Sequence, residues 1–346
     1  MSRSTRNFLI GAATVGLLCL GTGLVAFYNG AMPGSGQASD ADLAYLPANA
    51  AAVGYADVRT IMASQLTQKI RQMLPTGEEK EKLQAELGVD IEKDIDSVAV
   101  AYIGSSASPL DGALVVVRGR FNTGQIEALA TQHGATASDY SGRRLLLMPT
   151  GHEVHGVGAE AVEHNRQAGI AFLEQGAIAF GEEATLKAAI DGATTGNDIR
   201  KNTALMAVVN DVRSSGNAWF VGKFDALTGN AIPDAVRDHI PPVDTFAVSL
   251  HVNGGLRGAV RADARDDKAA EQLRDVVRGA IAAGKLMSGQ NKDVDTMLNS
   301  LQISGSGKTV GVSFSLPAEF LDVLNGIAAA RGLTEGSLTA PGTKKH

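Results

Sequence analysis

The chain has 346 residues, of which 31 are lysine or arginine and 37 are aspartate or glutamate, giving a formal net charge of −6. Its single cysteine excludes a disulfide framework and any zinc or iron–sulfur site built on several cysteines. An acidic chain with only 5% aromatic residues also lacks the basic patches and stacking rings that are typical of nucleic-acid-binding proteins.

An uncharged, mostly apolar run occupies residues 8–28 near the amino terminus. About 20 apolar residues suffice to cross a bilayer as a helix. Arg3 and Arg6 precede the run, and positive charge stays on the cytoplasmic side of a membrane. We therefore expect residues 1–28 to form a cytoplasmic stub and a transmembrane anchor. The rest of the chain would lie outside the cytoplasm, on the other side of the membrane.

A cleaved secretory signal is the alternative interpretation of this run. Gly36 and Ala38 have the small side chains of a cleavage site, but they lie well beyond the apolar run, so we favour an uncleaved signal-anchor. Cys19 could indicate a lipoprotein, yet Leu18 stands directly before it, where a lipoprotein signal has a small residue.

The remaining chain divides into four segments by composition and by an internal repeat. Residues 29–42 are rich in Gly, Ser and Ala and predict a flexible tether, and residues 332–346 predict a disordered tail. Between them, residues 49–57 resemble 217–225, and residues 96–100 resemble 244–248. The repeat predicts two related lobes, with the boundaries 43–212 and 213–331.

The first lobe shows helical spacing and then a series of strands. Met62, Leu66, Ile70 and Met73 predict one helix that ends before Pro75. Strands are expected near residues 98–103, 113–121, 144–148, 170–173 and 177–180, with a helix from Thr123.

Apolar and polar residues alternate more clearly in the second lobe. Phe246, Val248, Leu250 and Val252 alternate with small or polar residues, which predicts a half-buried strand whose turn contains Asn253. Two further strands are expected at 256–263 and 310–316. Helices are expected from Asp267 and after Pro317, with Phe320, Leu321 and Leu324 on the apolar face of the latter. Hairpins separated by helices predict an α+β fold in which helices cover antiparallel sheets.

Two stretches carry a resemblance to a known family. They are the opening Leu46-Pro47-Ala48-Asn49 with the strand and Asp57 that follow, and the closing pattern of strand, Ser-Gly-Ser-Gly turn, strand and Pro-capped helix from Leu301 to Leu324. Together they resemble a family of uncharacterised bacterial proteins with one membrane anchor and an extracytoplasmic domain. The resemblance implies the same location and fold, and it supplies no catalytic residues.

The turn Ser304-Gly305-Ser306-Gly307-Lys308-Thr309 imitates a phosphate-binding loop. Such a loop needs a glycine five residues before the Gly-Lys pair, and it needs a helix directly after the loop. Gln302 occupies the glycine position, and a strand is expected to follow. We therefore predict a β-turn here.

A histidine-rich segment imitates a zinc-protease motif. His152, Glu153 and His155 approach the pattern His-Glu-x-x-His but are one residue short of it, and His164 could supply a third ligand. Neighbouring glycines disfavour the helix that the motif requires. A polar surface loop is the preferred interpretation, and a metal site at these three histidines is the alternative.

Acidic residues cluster at two further places. Asp90, Glu92, Asp94 and Asp96 lack the spacing of a calcium loop, so we predict a solvated turn before a strand. The second cluster is expected to cap the helix that follows it; it consists of Asp263, Asp266 and Asp267.

No complete catalytic motif emerges, which leaves enzymatic activity uncertain and favours a non-enzymatic function with no cofactor. The leading hypothesis is an anchored extracytoplasmic binding or scaffolding protein, whose partner is another envelope protein or membrane complex. A carrier of lipid or another apolar ligand and a metal-dependent hydrolase using the 152–164 histidines are the alternatives. The acidic exterior domain also disfavours docking on anionic lipid headgroups.

Overall fold

A computed structural model describes residues 40–68, 89–104, 112–149, 167–174, 176–228, 241–287 and 292–317. Its fold is α+β, as the sequence predicts, with helices packed on a large antiparallel sheet. None of the described helices has the length and hydropathy that a membrane crossing requires. The expected anchor at residues 8–28 lies outside the described residues.

Twelve strands in the described part form one sheet, in the order β11-β12-β10-β9-β8-β1-β2-β3-β7-β6-β5-β4. The strands are β1 Ala52–Ala56, β2 Ile95–Tyr102, β3 Ala113–Gly119, β4 Thr136–Tyr140, β5 Arg143–Pro149, β6 Gln167–Glu174, β7 Ala177–Glu182, β8 Ala218–Lys223, β9 Val243–Val252, β10 Gly255–Ala264, β11 Gln302–Ser304 and β12 Thr309–Pro317. The helices are α1 Asp40–Leu43, α2 Val58–Met62, α3 Ile91–Asp94, α4 Thr123–Gln132, α5 Glu183–Thr195, α6 Thr203–Val212, α7 Phe224–Thr228, α8 Asp267–Met287 and α9 Lys292–Ser300, with a 3₁₀ turn at Ile199–Lys201.

The pairing of β1 with β8 joins the two halves of this sheet. Val53 lies directly opposite Val221, and Tyr55 lies opposite Trp219. From this pair, β2 and β3 follow on one side, and β9 and β10 follow in the same order on the other. A helix then follows each third strand: α4 begins at Thr123 and α8 at Asp267.

The sheet has two faces because successive side chains of a strand point to opposite sides. The front face carries Val53, Tyr55 and Trp219. It is covered by α1, α5 and α6, which contribute to one large buried cluster with these residues. The back face carries Val115 and Ile178, and α2 and α4 pack against it. The first turn of α8 packs on the same back face, further along the sheet.

Most of the expected strands agree with the structure, and three details differ. The helix expected over residues 62–73 begins later: α2 ends at Met62, the Ser64 hydroxyl accepts a hydrogen bond from the Thr67 backbone N–H (3.0 Å), and a new helical turn covers residues 65–68, beyond which the expected helix lies outside the described residues. β4 was not expected, since the side chains of Thr136–Tyr140 are almost all exposed and polar. β9 buries Ala247 and Ser249 on its supposed polar face, because α6 covers them, whereas Phe246 and Val248 are only half-buried.

Two glycines should respond oppositely to substitution by alanine. A Cβ on Gly169 would lie 1.9 Å from the carbonyl oxygen of Leu146 in the neighbouring strand, whereas a Cβ on Gly279 in α8 would meet nothing within 4 Å. We expect Gly169→Ala to lower the free energy of unfolding by about 1–3 kcal/mol. Gly279→Ala should raise it by about 0.5–1 kcal/mol, since alanine favours the helix. Denaturant unfolding of both variants measures these changes, and a stable Gly169→Ala protein would contradict the described strand spacing.

Candidate functional site

The described residues bring polar side chains together on the front face at the centre of the sheet. Asp42 enters from α1, Tyr55 from β1, Arg118 from β3 and Glu174 from β6. Asn217 and Trp219 lie beside them at the start of β8. The pleat and the register of these strands place Tyr55, Arg118 and Trp219 on one face, which Asp42 reaches from α1. We call this set the central polar site.

A cation bridges two carboxylates in this site. Arg118 donates from Nε to the Asp42 carboxylate, from Nη1 to Glu174 Oε1 (2.7 Å) and from Nη2 to the carbonyl of Ala41 (3.0 Å). Burial disfavours the charge of Arg118, but the bonds to Glu174 and Asp42 outweigh it and hold its pKa above the usual value. Asp42 is 4% exposed, so Arg118 supplies the partner that a buried carboxylate needs. The bridge fastens α1 to the sheet.

Two aromatic rings lie next to this bridge. Tyr55 and Trp219 stack with their centroids 6.2 Å apart and their planes inclined by 23°. Burial raises the pKa of the Tyr55 hydroxyl, and the negative charges of Asp42 and Asp57 raise it further. Tyr55 therefore remains a neutral hydrogen-bond donor at physiological pH. The Tyr55 and Arg118 side chains can bind and orient a group, but neither exchanges a proton near neutrality.

Besides the Arg118 bridge, the amino-terminal segment is attached to the core beside a buried aspartate, Asp198. Pro47 bridges to Asp198, and the Ile199 backbone N–H donates to the Leu46 carbonyl (2.7 Å). Asp198 is 1% exposed and accepts two hydrogen bonds from the Arg200 guanidinium (2.8 and 2.6 Å). Burial alone would raise the pKa of Asp198, but the side-chain and backbone hydrogen bonds from Arg200 outweigh burial and hold this pKa below its usual value.

Asn217 and Trp219 contain polar atoms without protein partners in the described part of the chain. The Asn217 amide and the Trp219 indole N–H are buried and make no hydrogen bond there. Leaving a buried polar group unpaired costs about 1–3 kcal/mol. Such groups in a native core therefore call for an explanation.

A surface cavity of about 380 Å³ lies apart from this site, at the end of β8. It is lined by Lys223, Asp225, Ala226, Asp244 and Thr245. Its size is within the range of small-molecule pockets. Three of its five lining residues are charged, and most of its lining surface is apolar.

The structure places the site residues expected from the sequence as follows. The histidines His152, His155 and His164 lie outside the described residues, so the metal-site hypothesis stays a prediction. Within the described ranges, no cluster of three or more His, Cys, Asp or Glu side chains could hold a metal ion. The turn after Ser304 leads into β12 at Thr309, which confirms the predicted β-turn in place of a phosphate loop.

The two acidic clusters serve different purposes. Asp90 and Asp94 flank the short helix α3 before β2, and the Asp90 backbone N–H donates to Asp94 Oδ2 (2.8 Å), as expected for a turn before a strand. Asp266 caps α8 by accepting from the Ala269 N–H (2.8 Å). Asp263 does not cap this helix: it lies within β10 and accepts hydrogen bonds from Thr245, Arg261 and Thr309.

Comparisons with known proteins provide no relatives for this chain. No family model, no curated protein and no solved structure matches it.

Removing the bridging cation should destabilise the protein strongly. We expect Arg118→Met to lower the free energy of unfolding by about 3–5 kcal/mol, because it removes the cation that neutralises the buried Asp42 carboxylate. Arg59→Met is the matched control: the side chains of Arg59 and its partner Asp96 are 56% and 40% exposed, so the loss should be below about 1 kcal/mol. Equal losses in chemical denaturation would show that the bridge has no special importance.

The depressed pKa of Asp198 predicts an acid-sensitive contribution to stability. A carboxylate with a folded pKa below its unfolded value of about 3.9 stabilises the fold above that value and loses this contribution as pH falls through the folded pKa. The free energy of unfolding should therefore decrease below about pH 4. Asp198→Asn should be less stable at neutral pH and should show a smaller acid-dependent decrease. The stability of both proteins is measured by thermal unfolding between pH 2 and pH 7. An equal acid-dependent decrease in the two proteins would contradict this assignment.

Proposed function

We propose that the chain is a membrane-anchored binding or scaffolding protein of the bacterial envelope. Residues 8–28 would hold it in the inner membrane with the amino end in the cytoplasm, and the α+β domain would face the periplasm. The charge-free apolar run and the two preceding arginines support this location. Its resemblance to a family of anchored extracytoplasmic proteins supports the same proposal.

The observation that favours protein binding is the position of the exposed apolar side chains. Among the described residues, the large exposed ones are Val260, Val276 and Leu286, with 37%, 48% and 86% exposure. Val260 lies on the back face of β10, and the other two lie on α8, which packs against that face. A contiguous apolar patch formed by these three residues would be typical of a protein-binding surface. We call these three residues the back-face patch, and its occupant would be an envelope protein.

The same proposal includes two related lobes at residues 43–212 and 213–331. Strands β1-β2-β3 and β8-β9-β10 run outward from the centre in the same order, and α4 and α8 follow them on the same face. The repeat aligns Val53 with Val221, which are also directly opposed in the central pair. A duplicated unit would meet itself in this way across a two-fold axis.

The alternative functions receive less support. An apolar-ligand carrier would need an enclosed apolar cavity, and the cavity beside Lys223 is open to the surface and includes three charged residues. The hydrolase alternative depends on His152, His155 and His164, which lie outside the described residues.

Charged substitutions in the back-face patch should abolish partner capture. A partner should co-purify with the full-length protein from membranes in mild detergent. We expect the double variant Val276→Asp and Leu286→Asp to capture at least tenfold less of it, since an aspartate at an apolar contact must be desolvated. The measurement is quantitative mass spectrometry after cross-linking.

Ala207→Asp on α6 is the control, because it adds a negative charge to an exposed position over the front face. It should leave capture unchanged. Equal capture by the double variant and the wild type would reject the patch as the contact surface. A loss of capture in the control as large as that in the double variant would also reject the patch.

A further inference from the structure

The two polar residues at the start of β8 are enclosed in the core. Asn217 is 0% exposed and Trp219 is 3% exposed. Trp219 lies on the front face of β8, and Asn217 lies two residues before it, directly ahead of the strand. Both amide atoms of Asn217 and the indole Nε1 of Trp219 lack a hydrogen-bond partner within the described ranges.

The surrounding elements present mostly apolar groups. The backbone N–H of Asn217 already donates to Leu250, and its carbonyl accepts from Asp57, so only its side chain remains. The buried residues of α6, which covers this region, are Leu205, Val208, Val209 and Val212. On the sheet itself, the ring of Tyr55 stacks on one side of Trp219, and Ser249 is its register partner on the other side.

Ser249 adds a third polar group to this enclosure. It is 5% exposed and lies on the same face as Trp219. A tryptophan indole only donates, an asparagine amide both donates and accepts, and a serine hydroxyl does both. Together they offer the two to four partners that a buried water molecule uses.

We propose that a water molecule is bound inside the core between Asn217, Trp219 and Ser249. A water accepts from the indole N–H and the amide, and it donates to the amide oxygen or the serine hydroxyl. It fits this place better than a larger ligand, because Asn217, Trp219 and Ser249 are all at most 5% exposed. The site fastens β8 to β9 at the centre of the sheet and is independent of the proposed function.

Trp219 makes the proposal directly testable, because it is the only tryptophan of the chain. Full-length protein labelled with ¹⁵N-tryptophan in detergent micelles gives one indole signal. We expect a cross-peak between this indole proton and a long-lived water, distinct from chemical exchange with solvent. Absence of this cross-peak would overturn the proposal.

A substitution provides the second, independent measurement. Asn217→Leu has nearly the same shape but cannot hydrogen bond. With a water in place, the change breaks the network and should lower Tm by about 2–6 °C. In a dry core the same change would remove two unpaired polar atoms and raise Tm, which would overturn the proposal. Asn210→Leu on the exposed side of α6 is the matched control and should leave Tm nearly unchanged.

Discussion

The pairing of β1 with β8 is the interaction on which the rest of the described structure depends. It joins seven strands on one side to five on the other into one continuous sheet. Val53 and Val221 are fully buried at this junction, and the stacked rings of Tyr55 and Trp219 lie beside them. Since residues 52–56 and 218–223 are far apart in sequence, the junction forms only when both halves meet.

The same junction explains why buried charges gather at the centre. The amino-terminal segment passes over the front face there and buries Leu43 and Leu46 in the main core. Asp42 of this segment is paired with Arg118, and Asp198, which bridges to Pro47, is paired with Arg200. A buried carboxylate paired with a cation fixes the position of the segment, and its net contribution to stability is small. The segment that would follow the membrane anchor is thus attached to the core at two points.

Local patterns in the sequence predict most of the strands but little of the central polar site. The alternation in residues 256–263 and the capping role of Asp266 depend on near neighbours, and both agree with the structure. The bridge from Arg118 to Asp42 spans 76 positions, so no local pattern indicates it. The burial of Ala247 and Ser249 could not be predicted from the local pattern either, because it depends on α6, which comes from a different part of the chain. Asp263 was misassigned because its partners Thr245 and Thr309 come from neighbouring strands.

The two faces of the second half differ in a way that bears on function. Its front face carries Arg257, Arg261 and Asp263 among small and hydroxyl-bearing residues, as a solvated sheet does. Its back face carries Val248, Val260 and Val312 in the middle of neighbouring strands. The charged side chains of β10 therefore lie on the front face, and its apolar ones lie on the back face.

The most direct test of the central claim is the location of the domain in intact cells. Leu286→Cys, made together with Cys19→Ser, gives a chain with one thiol at an 86% exposed position. An anchored periplasmic domain predicts that a membrane-impermeant maleimide labels this thiol once the outer membrane is made permeable. The labelled protein should then sediment with membranes in alkaline carbonate. Labelling only after lysis of the inner membrane, or recovery in the soluble fraction, would contradict the account.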